Sequence, residues 1–394
     1  MSNTFGLRRL LSLALGASCI AVASCRNHWV DIWASMPQEV EPYNLPNPPY
    51  NGTDGVFQNT TIRTTVYVTQ DASTIRLQLS NAFGGSDLPI TAATIALPAN
   101  GTAGSPAIRP GTLQYLTFSG SRSFAVPNGA LVVSDPIHFP VKAQTSVTVS
   151  VYLASGQAGF AITGHPGSRT TSWLTQGDLV SAADVTTPTT QRIDKWFLLV
   201  RRLRAAGGKK PLLRPLSVAN MAAGGNRVLA DSLGPNAFGR IERDVLARSG
   251  VRYALVYEGV NDLGTAAPDP VSQAAVGDRL IAAYDQMITR LHGAGIPVFG
   301  ATITPMCGPG QPYSDPVREA QRQRVNRWIR TSGRFDAVVD FDRAVRDPKN
   351  ATMLRTEYDS GDYLHLNPAG YKAMADAVDL DLFVRFAGGV YSMV

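Results

Sequence analysis

The chain has few charged residues, few cysteines and no long apolar run beyond its first residues. Charged residues make up 17% and hydrophobic residues 44% of the 394 positions, values typical of a globular protein long enough for two domains. Three cysteines without the spacing of a zinc site exclude a disulfide-rich scaffold and a cysteine-based metal centre. No motif indicates a cofactor, so we expect none, and we expect no membrane span.

The first 23 residues have the pattern of a secretory signal peptide. Two arginines precede the apolar run Leu10–Ala23, which is too short to span a bilayer and ends in small residues suited to cleavage. Two alternatives are a buried N-terminal helix and a bacterial lipid-attachment motif over Val22–Cys25. We expect a secreted, extracellular protein in which Cys25 and Cys307 remain, and the sequence does not determine whether they pair. Four sequons favour a glycoprotein, and they begin at Asn51, Asn59, Asn100 and Asn350.

The net charge of +6 comes from one short stretch of the chain. Lysine and arginine number 36 against 30 for aspartate and glutamate, and residues 201–214 hold six basic residues and no acid. Those six are Arg201, Arg202, Arg204, Lys209, Lys210 and Arg214. A basic cluster can mark a nucleic-acid or membrane surface, but no pattern of aromatic residues or recognition helix accompanies it. We therefore expect no nucleic-acid partner.

The chain divides into a strand-rich part and a part in which strands alternate with helices. Over residues 28–195, alternating segments such as Ser146–Leu153 are separated by turn residues, which predicts an antiparallel β-sandwich domain. Over residues 215–394, short apolar strands alternate with amphipathic helices, beginning with a strand at Leu216–Ala219 and a helix at Ala237–Arg248. This order predicts an α/β fold with a parallel sheet, whose ligands bind beyond the carboxyl ends of the strands.

Three short blocks of this second part carry polar chemistry. Asp362 and His365 are three residues apart, so the carboxylate can orient an imidazole that takes a proton from a serine. Asn261 can donate its amide to a developing oxyanion, and Gly225 offers a backbone N–H without a side chain in the way. Each block also has an ordinary alternative. These are a solvent-facing histidine before a helix, a turn around Asn261, and a strand-to-helix turn with positive φ at Gly225.

Taken together and in this order, the blocks resemble the SGNH (GDSL-like) hydrolases, and the resemblance runs from Leu216 to the end of the chain. The segments Trp29–Ser35, Ser80–Gly85 and His165–Trp173 resemble the secreted two-domain members of that family, which place a β-rich domain before the hydrolase domain. The resemblance implies a C-terminal flavodoxin-like three-layer α/β/α domain and an ester hydrolase without a metal.

The resemblance also implies a role for each block residue. By position, Gly225 corresponds to the backbone oxyanion donor of the family and Asn261 to its side-chain donor. Asp362 corresponds to the orienting acid, and His365 to the general base.

The segment that should carry the nucleophilic serine is absent. The family places a Gly-Asp-Ser block after a central first strand and before the glycine block. Here Trp196–Val200 runs into the basic stretch, and only 15 residues separate Val200 from Leu216. A strand, a nucleophile loop and a helix need roughly 30 residues or more. Residues 196–214 are therefore interpreted as a truncated junction, which leaves an error in the gene model and a true loss as explanations.

Other serines and histidines are weaker candidates. Ser232 lies in Ala230–Gly234, which resembles the missing motif but follows the glycine block instead of preceding it. Ser217 points along a predicted strand. No acidic partner stands at a useful spacing from the other histidines, which are His28, His138, His165 and His292. Of these, His165 sits in a turn-like loop that could approach the site.

The sequence therefore predicts an ester hydrolase of the SGNH class, acting on acyl or acetyl esters of carbohydrate or lipid. As written, the chain is expected to be inactive, because the nucleophilic serine block is missing. The alternative is a secreted glycan-binding protein without catalysis, in which Trp29, Trp33 and Trp173 stack on sugars. Packing in a core is the more ordinary role of each tryptophan.

Overall fold

The structure is a computed structural model, and it describes residues 29–166, 171–185, 188–189, 213 and 215–390. The predicted signal peptide, Cys25, His28 and almost all of the predicted junction 196–214 lie outside the described residues. Among the helices that are described, none combines the length and the apolarity needed to cross a bilayer.

The N-terminal part is built from short antiparallel strands. They are β1 (Gln38–Glu39), β2 (Gly55–Val56), β3 (Thr60–Val68), β4 (Ala72–Ile75), β5 (Gln78–Ser80), β6 (Leu88–Ile90), β7 (Ala92–Ala96), β8 (Gln114–Tyr115), β9 (Phe124–Val126), β10 (Leu131–Val133), β11 (Ile137–Val141), β12 (Thr145–Leu153), β13 (Gln157–Ala158), β14 (Thr163–Gly164), β15 (Ser172–Gln176) and β16 (Pro188–Thr189). The largest sheet has the order β16-β15-β3-β12-β7-β8, and all nine residues of β3 pair with β12.

One apolar core joins this large sheet to the smaller two-stranded sheets. Val68 and Val147 point from the large sheet into a cluster with Val126, Val132 and Phe139 from the smaller sheets. Side chains alternate between the two faces of a strand, so each strand contributes every second residue to this cluster. The strand-rich antiparallel N-terminal part that the alternating pattern predicts is thereby confirmed.

The C-terminal part contains a three-stranded parallel sheet between layers of helices. Its strands are β17 (Ala254–Val256), β18 (Val298–Ala301) and β19 (Ala337–Val339), in that order. Its helices are α1 (Val260–Thr265), α2 (Pro270–Gly293), α3 (Pro316–Thr331), α4 (Phe341–Val345), α5 (Pro368–Ala377) and α6 (Asp381–Arg385). The adjacent residues Val298 and Phe299 of β18 point into different core clusters, one on each face of the sheet. The α/β class predicted from the sequence is confirmed.

Three of these helices begin with the same local device. Asp269, Asp315 and Asn367 are the N-cap residues of α2, α3 and α5, and each side chain accepts two backbone N–H groups of the first turn. Each cap is followed by proline, which has no N–H to leave unpaired at the start of a helix. The helix starts are therefore set by dipeptides that can be recognised in the sequence.

The prediction of a strand at Leu216–Ala219 is wrong. These residues pair with no other strand, and the N-terminal part holds them instead. The Val218 N–H donates to Oγ1 of Thr69 at 3.2 Å, and Oγ of Ser217 donates to the carbonyl of Asp31 at 2.6 Å. A strand needs a neighbour to accept and donate its backbone hydrogen bonds, and no described strand lies beside this segment.

The predicted helix Ala237–Arg248 is shorter and irregular. Only Glu242–Leu246 is assigned as helical, with the wide π geometry, and the N–H of Ala247 donates to the carbonyl of Glu242 five residues earlier. Gly239 lies in the predicted first turns, where glycine weakens a helix.

A cavity of about 730 Å³ lies beside β17. One wall is Tyr253–Glu258, which contains β17, and another is the unpaired segment Leu216–Ala222. By the cost of roughly 24 cal/mol per Å³ of core cavity, an empty space of this size would cost on the order of 17 kcal/mol. That exceeds the roughly 5–15 kcal/mol by which a typical domain is stabilised. We therefore expect further protein or solvent to fill this space in the folded chain.

Candidate active site

Asp362 and His365 lie in the loop before α5 and form a hydrogen-bonded pair. The Nδ1 atom of His365 is 2.6 Å from Oδ2 of Asp362. The other carboxylate oxygen accepts the backbone N–H of Leu364 at 3.0 Å and that of His365 at 2.8 Å. An Nδ1–H that is donated to the carboxylate leaves Nε2 as a proton acceptor. The imidazole side chain is 52% exposed, so it can be reached from solvent.

The electrostatics of the pair favour a charged carboxylate. Partial burial raises the pKa of Asp362, but hydrogen bonds from the His365 side chain and from the His365 and Leu364 N–H groups outweigh it and hold the pKa at about 2. The carboxylate is therefore ionised at neutral pH. It can orient the ring and stabilise an imidazolium, which is the task of the acid in a serine hydrolase triad.

Asn261 lies in the first turn of α1, directly after β17. Its Nδ2 atom donates to the backbone carbonyl of Asn226 at 2.9 Å, and its Oδ1 accepts from the Tyr313 hydroxyl at 3.1 Å. A primary amide carries two N–H bonds, so one remains for an incoming oxyanion. Both ends of the side chain are held by contacts that the sequence around Asn261 does not reveal.

Gly225 adopts a left-handed turn that only glycine fits. Its φ is +74°, and a Cβ at this position would lie 2.4 Å from Cδ1 of Leu233. The turn that follows is held by Asp262, whose buried carboxylate accepts the N–H of Val228 at 2.9 Å and that of Leu229 at 3.0 Å. Asp262 therefore joins the asparagine block to the glycine block and fixes their relative position.

Asn226 is the second residue that connects the blocks, and it is fully buried. Its Nδ2 donates to the carbonyl of Pro235 at 2.9 Å, and its Oδ1 accepts from Nη2 of Arg240 at 2.9 Å. Arg240 is also buried and pairs with Asp244 at 2.8 Å. The sequence analysis missed the supporting residues Asn226, Asp262 and Arg240. The only signal for the first two is that they sit inside the Gly-Gly-Asn and Asn-Asp blocks.

Glu258 stands immediately before the asparagine block and is largely removed from water. Burial raises its pKa to about 8, while the charge of Arg240, 3.5 Å away, opposes the shift and Asp262 adds to it. A carboxyl group with this pKa is mostly protonated at neutral pH. Glu258 therefore places little negative charge beside the amide of Asn261, which suits an oxyanion site.

The loop after β18 connects the two halves of the site. Nε2 of Gln311 donates to the backbone carbonyl of Asp362 at 2.5 Å, and its Oε1 accepts the N–H of Tyr313 at 3.1 Å. Tyr313 in turn donates its hydroxyl to Asn261. The acid–base pair and the amide donor are thus joined through two side chains beyond the carboxyl ends of the strands, where α/β sheets bind their ligands.

The candidate serines are engaged elsewhere. Oγ of Ser217 donates to a backbone carbonyl of the N-terminal part. Oγ of Ser232 lies 3.5 Å from the carbonyl oxygen of Gly225, so this side chain is near the glycine block. Among the described residues, no serine, threonine or cysteine side chain is hydrogen-bonded to the imidazole of His365. The site therefore contains a base and oxyanion donors without a nucleophile in contact with the base.

A different serine contacts a different histidine. Oγ of Ser35 is 2.6 Å from Nδ1 of His165, across 130 positions of sequence. Burial, followed by the charge of Arg240, lowers the pKa of His165 to about 4. Its Nε2 atom is buried without a described partner. Such a histidine stays neutral at physiological pH and is a weak base, so the contact fits a positioning role better than proton transfer to a reaction.

The other expected features fall into place as follows. His292 is paired with Asp336 at 2.8 Å, away from the candidate site, and Cys307 is a buried free thiol. No group of three or more histidine, cysteine or acidic side chains in the described part of the chain is arranged to hold a metal ion.

A protein-family model agrees with the arrangement of the blocks. Residues 190–373 match the GDSL-like lipase/acylhydrolase family. The match includes Gly225, Asn261, Asp362 and His365, and it begins before the described part of the C-terminal region. No curated protein matches the chain in sequence.

Solved structures of similar fold include lipases and acetylxylan esterases. A GDSL-like lipase from Bacteroides thetaiotaomicron is 15% identical, with a TM-score of 0.34, and the match covers 48% of this chain and 82% of that one. An acetylxylan esterase from Geobacillus stearothermophilus is 20% identical, with a TM-score of 0.35, and the match covers 50% of this chain and 84% of that one.

Proposed function

We propose, from the GDSL-like lipase/acylhydrolase domain that residues 190–373 carry, that the chain is a secreted ester hydrolase in architecture whose ester-cleaving step is lost. The substrates of the complete enzyme are acyl or acetyl esters of carbohydrate or lipid. The proposal covers three points: the reaction class, the absence of turnover in this chain, and export from the cell.

The observation that carries the reaction class is the Asp362–His365 pair at the same sheet edge as Asn261 and Gly225. In a complete site, His365 takes the proton of a serine as the serine attacks the ester carbonyl, and Asp362 stabilises the imidazolium. The carbonyl oxygen becomes an oxyanion that the remaining Asn261 N–H and the Gly225 N–H stabilise. The imidazolium then returns its proton to the leaving alcohol, and water releases the acyl group by the reverse sequence.

The absence of turnover follows from the missing hydroxyl. The base has no described nucleophile within hydrogen-bond reach, and removing the nucleophile of a serine hydrolase lowers kcat by roughly 10⁶-fold. We therefore expect hydrolysis of p-nitrophenyl acetate at a rate equal to that of the His365→Ala variant. We also expect no covalent labelling by a fluorophosphonate.

The experiment separates the three points cleanly. Turnover that His365→Ala abolishes would show that the chain is active, and peptide mapping of the labelled serine would identify its nucleophile. The variants Ser232→Ala and Ser35→Ala serve as matched controls, because neither is expected to change the background rate. Turnover that His365→Ala does not affect would place the chemistry outside this site.

A second candidate function is glycan binding without catalysis, and the exposure of two tryptophans favours it. Trp29 is 40% and Trp33 is 38% exposed, whereas Trp173 is buried at 3% and is unavailable for stacking. The guanidinium of Arg76 lies 4.7 Å from the ring centre of Trp29, which leaves the other ring face for a sugar. Calorimetric titration with xylo-oligosaccharides tests this function. Binding should be lost in Trp33→Ala and retained in Tyr43→Ala, a control on the same surface class that is 74% exposed.

Export can be tested directly on the mature protein. Expression in a secreting eukaryotic host should release a chain whose first residue follows Ala23. Peptide N-glycosidase should then lower its mass if the sequons are used. Retention of the first 23 residues in a cell-associated protein would contradict the proposed export.

A further inference from the structure

β17 is an edge strand in a place where a sheet strand needs a second neighbour. Among the described strands it pairs with β18 alone. The N–H of Ala254 donates to the carbonyl of Pro297 on the β18 side. Because successive residues of a parallel strand direct their backbone groups to opposite sides, the N–H and C=O of Leu255 point away from β18. They point toward the cavity of about 730 Å³.

The opposite wall of the cavity is also an extended segment without a sheet partner. Leu216–Ala222 lines the cavity, and its position is set by Thr69 and Asp31 of the N-terminal part instead of by a strand. Two extended stretches of backbone therefore face the same space from opposite sides. Each has polar backbone groups that need partners once water is removed.

The remaining walls are apolar on both faces. The layer that contains α2 contributes Ile241, Met287 and Leu291, and the opposite layer contributes Phe299, Val378 and Phe383. An occupant must therefore be apolar above and below and must form hydrogen bonds along both edges. A hydrocarbon ligand meets only the first condition and water meets only the second. An apolar β-strand meets both, as the central strands of parallel sheets do.

We infer that the occupant is the segment Trp196–Val200 of this same chain, inserted parallel to β17 between it and Leu216–Ala222. It reads Trp-Phe-Leu-Leu-Val and is the only unbroken apolar run of this length between residues 190 and 212. The family match begins at residue 190, so the run belongs with the C-terminal domain in sequence.

The connections are long enough for this insertion. Six residues lie between Thr189 of β16 and Trp196, and their full extension spans roughly 23 Å. Fifteen residues, 201–215, lead from Val200 back to Leu216, and a crossover between parallel strands needs about a dozen or more. The inserted strand ends at the edge that carries Asn261, and the next residue is Arg201. The groove is then filled and the sheet completed, but no hydroxyl is delivered to His365.

Amide hydrogen exchange of the full chain, followed by residue-resolved NMR, tests the inference. The N–H of Leu255 should exchange at least roughly 100-fold more slowly than in an unfolded peptide, because it donates to the inserted strand. In Leu198→Asp, which places a charge in the apolar groove, this protection should fall by a similar factor. Leu203→Asp is the matched control outside the apolar run and should leave it unchanged.

The N–H of Val256 donates toward β18 and is an internal reference for folding. Loss of protection at Leu255 with Val256 still protected supports the inference, and it cannot arise from a variant that fails to fold. Rapid exchange at Leu255 in the unaltered chain would overturn it and would point to solvent or an apolar ligand in the groove. Protection that appears only at concentrations where size-exclusion chromatography shows a dimer would also overturn it, because a second copy then supplies the strand.

Discussion

Arg322 offers a sharp test of how the C-terminal part is held together. It lies on α3 and is fully buried. Its Nε and Nη2 atoms each donate to Glu319 at 2.7 Å, and its Nη1 donates to Asp342 at 2.8 Å and to the carbonyl of Ile303 at 2.7 Å. Ile303 begins the loop that leads to Gln311, so this arginine supports the loop that joins the two halves of the site.

Replacement of Arg322 by methionine keeps the length of the side chain and removes the charge. Glu319 and Asp342 then lose a buried partner, and breaking one side of a buried pair costs about 3–5 kcal/mol. For a unit of 150–250 residues, at roughly 2–4 °C per kcal/mol, the melting temperature should fall by roughly 6–20 °C. Asp342 keeps Arg330 at 2.6 Å, so the loss should not exceed this range.

Arg324 on the same helix is the matched control. It also pairs with an acid, Asp278, but the two side chains are 46% and 64% exposed. Arg324→Met should cost less than about 1 kcal/mol, because exposed pairs contribute little. Urea titration followed by circular dichroism measures both variants, with the slope of the transition checked for constancy. Equal losses in the two variants would refute the assigned role of burial, as would a loss below about 1 kcal/mol for Arg322→Met.

Two further predictions concern the turn before Asn261 and the interface histidine. Gly259→Ala should destabilise the chain by about 2–4 kcal/mol, because φ is +108° and the new Cβ would lie 2.4 Å from the Tyr284 hydroxyl oxygen. Gly293→Ala, whose Cβ meets nothing within 4 Å at the end of α2, should be neutral or stabilising in the same urea titration. His165 binds its proton at about pH 4 when folded and at about 6.5 when unfolded, so stability should fall as pH drops from 6.5 through 4, by up to about 3 kcal/mol. His165→Gln should flatten that part of the stability–pH curve, and an unchanged curve would contradict the assignment.

The stability of the Asp362 pair is expected to respond to pH in the opposite range. The pKa of Asp362 is depressed to about 2 from an ordinary value of 3.8. Its contribution is therefore present above about pH 3.8 and is lost as the pH falls through 2. This window lies below that of His165, so the two groups can be separated in one titration.

The sequence was sufficient wherever the contacts are local. The caps at Asp315 and Asn367 were readable as acid-Pro or Asn-Pro pairs, and both helices start where those pairs stand. The Asp362 and His365 side chains meet within a four-residue loop, so their spacing alone brought them into hydrogen-bond distance. The lack of a serine block before Leu216 was likewise a matter of counting residues.

The sequence was misleading at Leu216–Ala219, where an apolar run has the composition of a strand but not the neighbour. β-structure is completed by hydrogen bonds between distant segments, so the same residues form a strand or an unpaired extended segment according to what lies beside them. The position of a central strand between this segment and β17 is visible only as a cavity between two packed layers.

Tertiary structure also decided which polar residues support the site. Asp262 reaches the N–H groups of Val228 and Leu229, and Gln311 reaches the carbonyl of Asp362, across 33 to 51 positions of sequence. Ser35 and His165 meet across 130 positions. Local chemistry selects residues able to form such hydrogen bonds, but burial of the apolar faces of the helices and sheets brings the partners together. That burial depends on the whole core, and no short stretch of sequence encodes it.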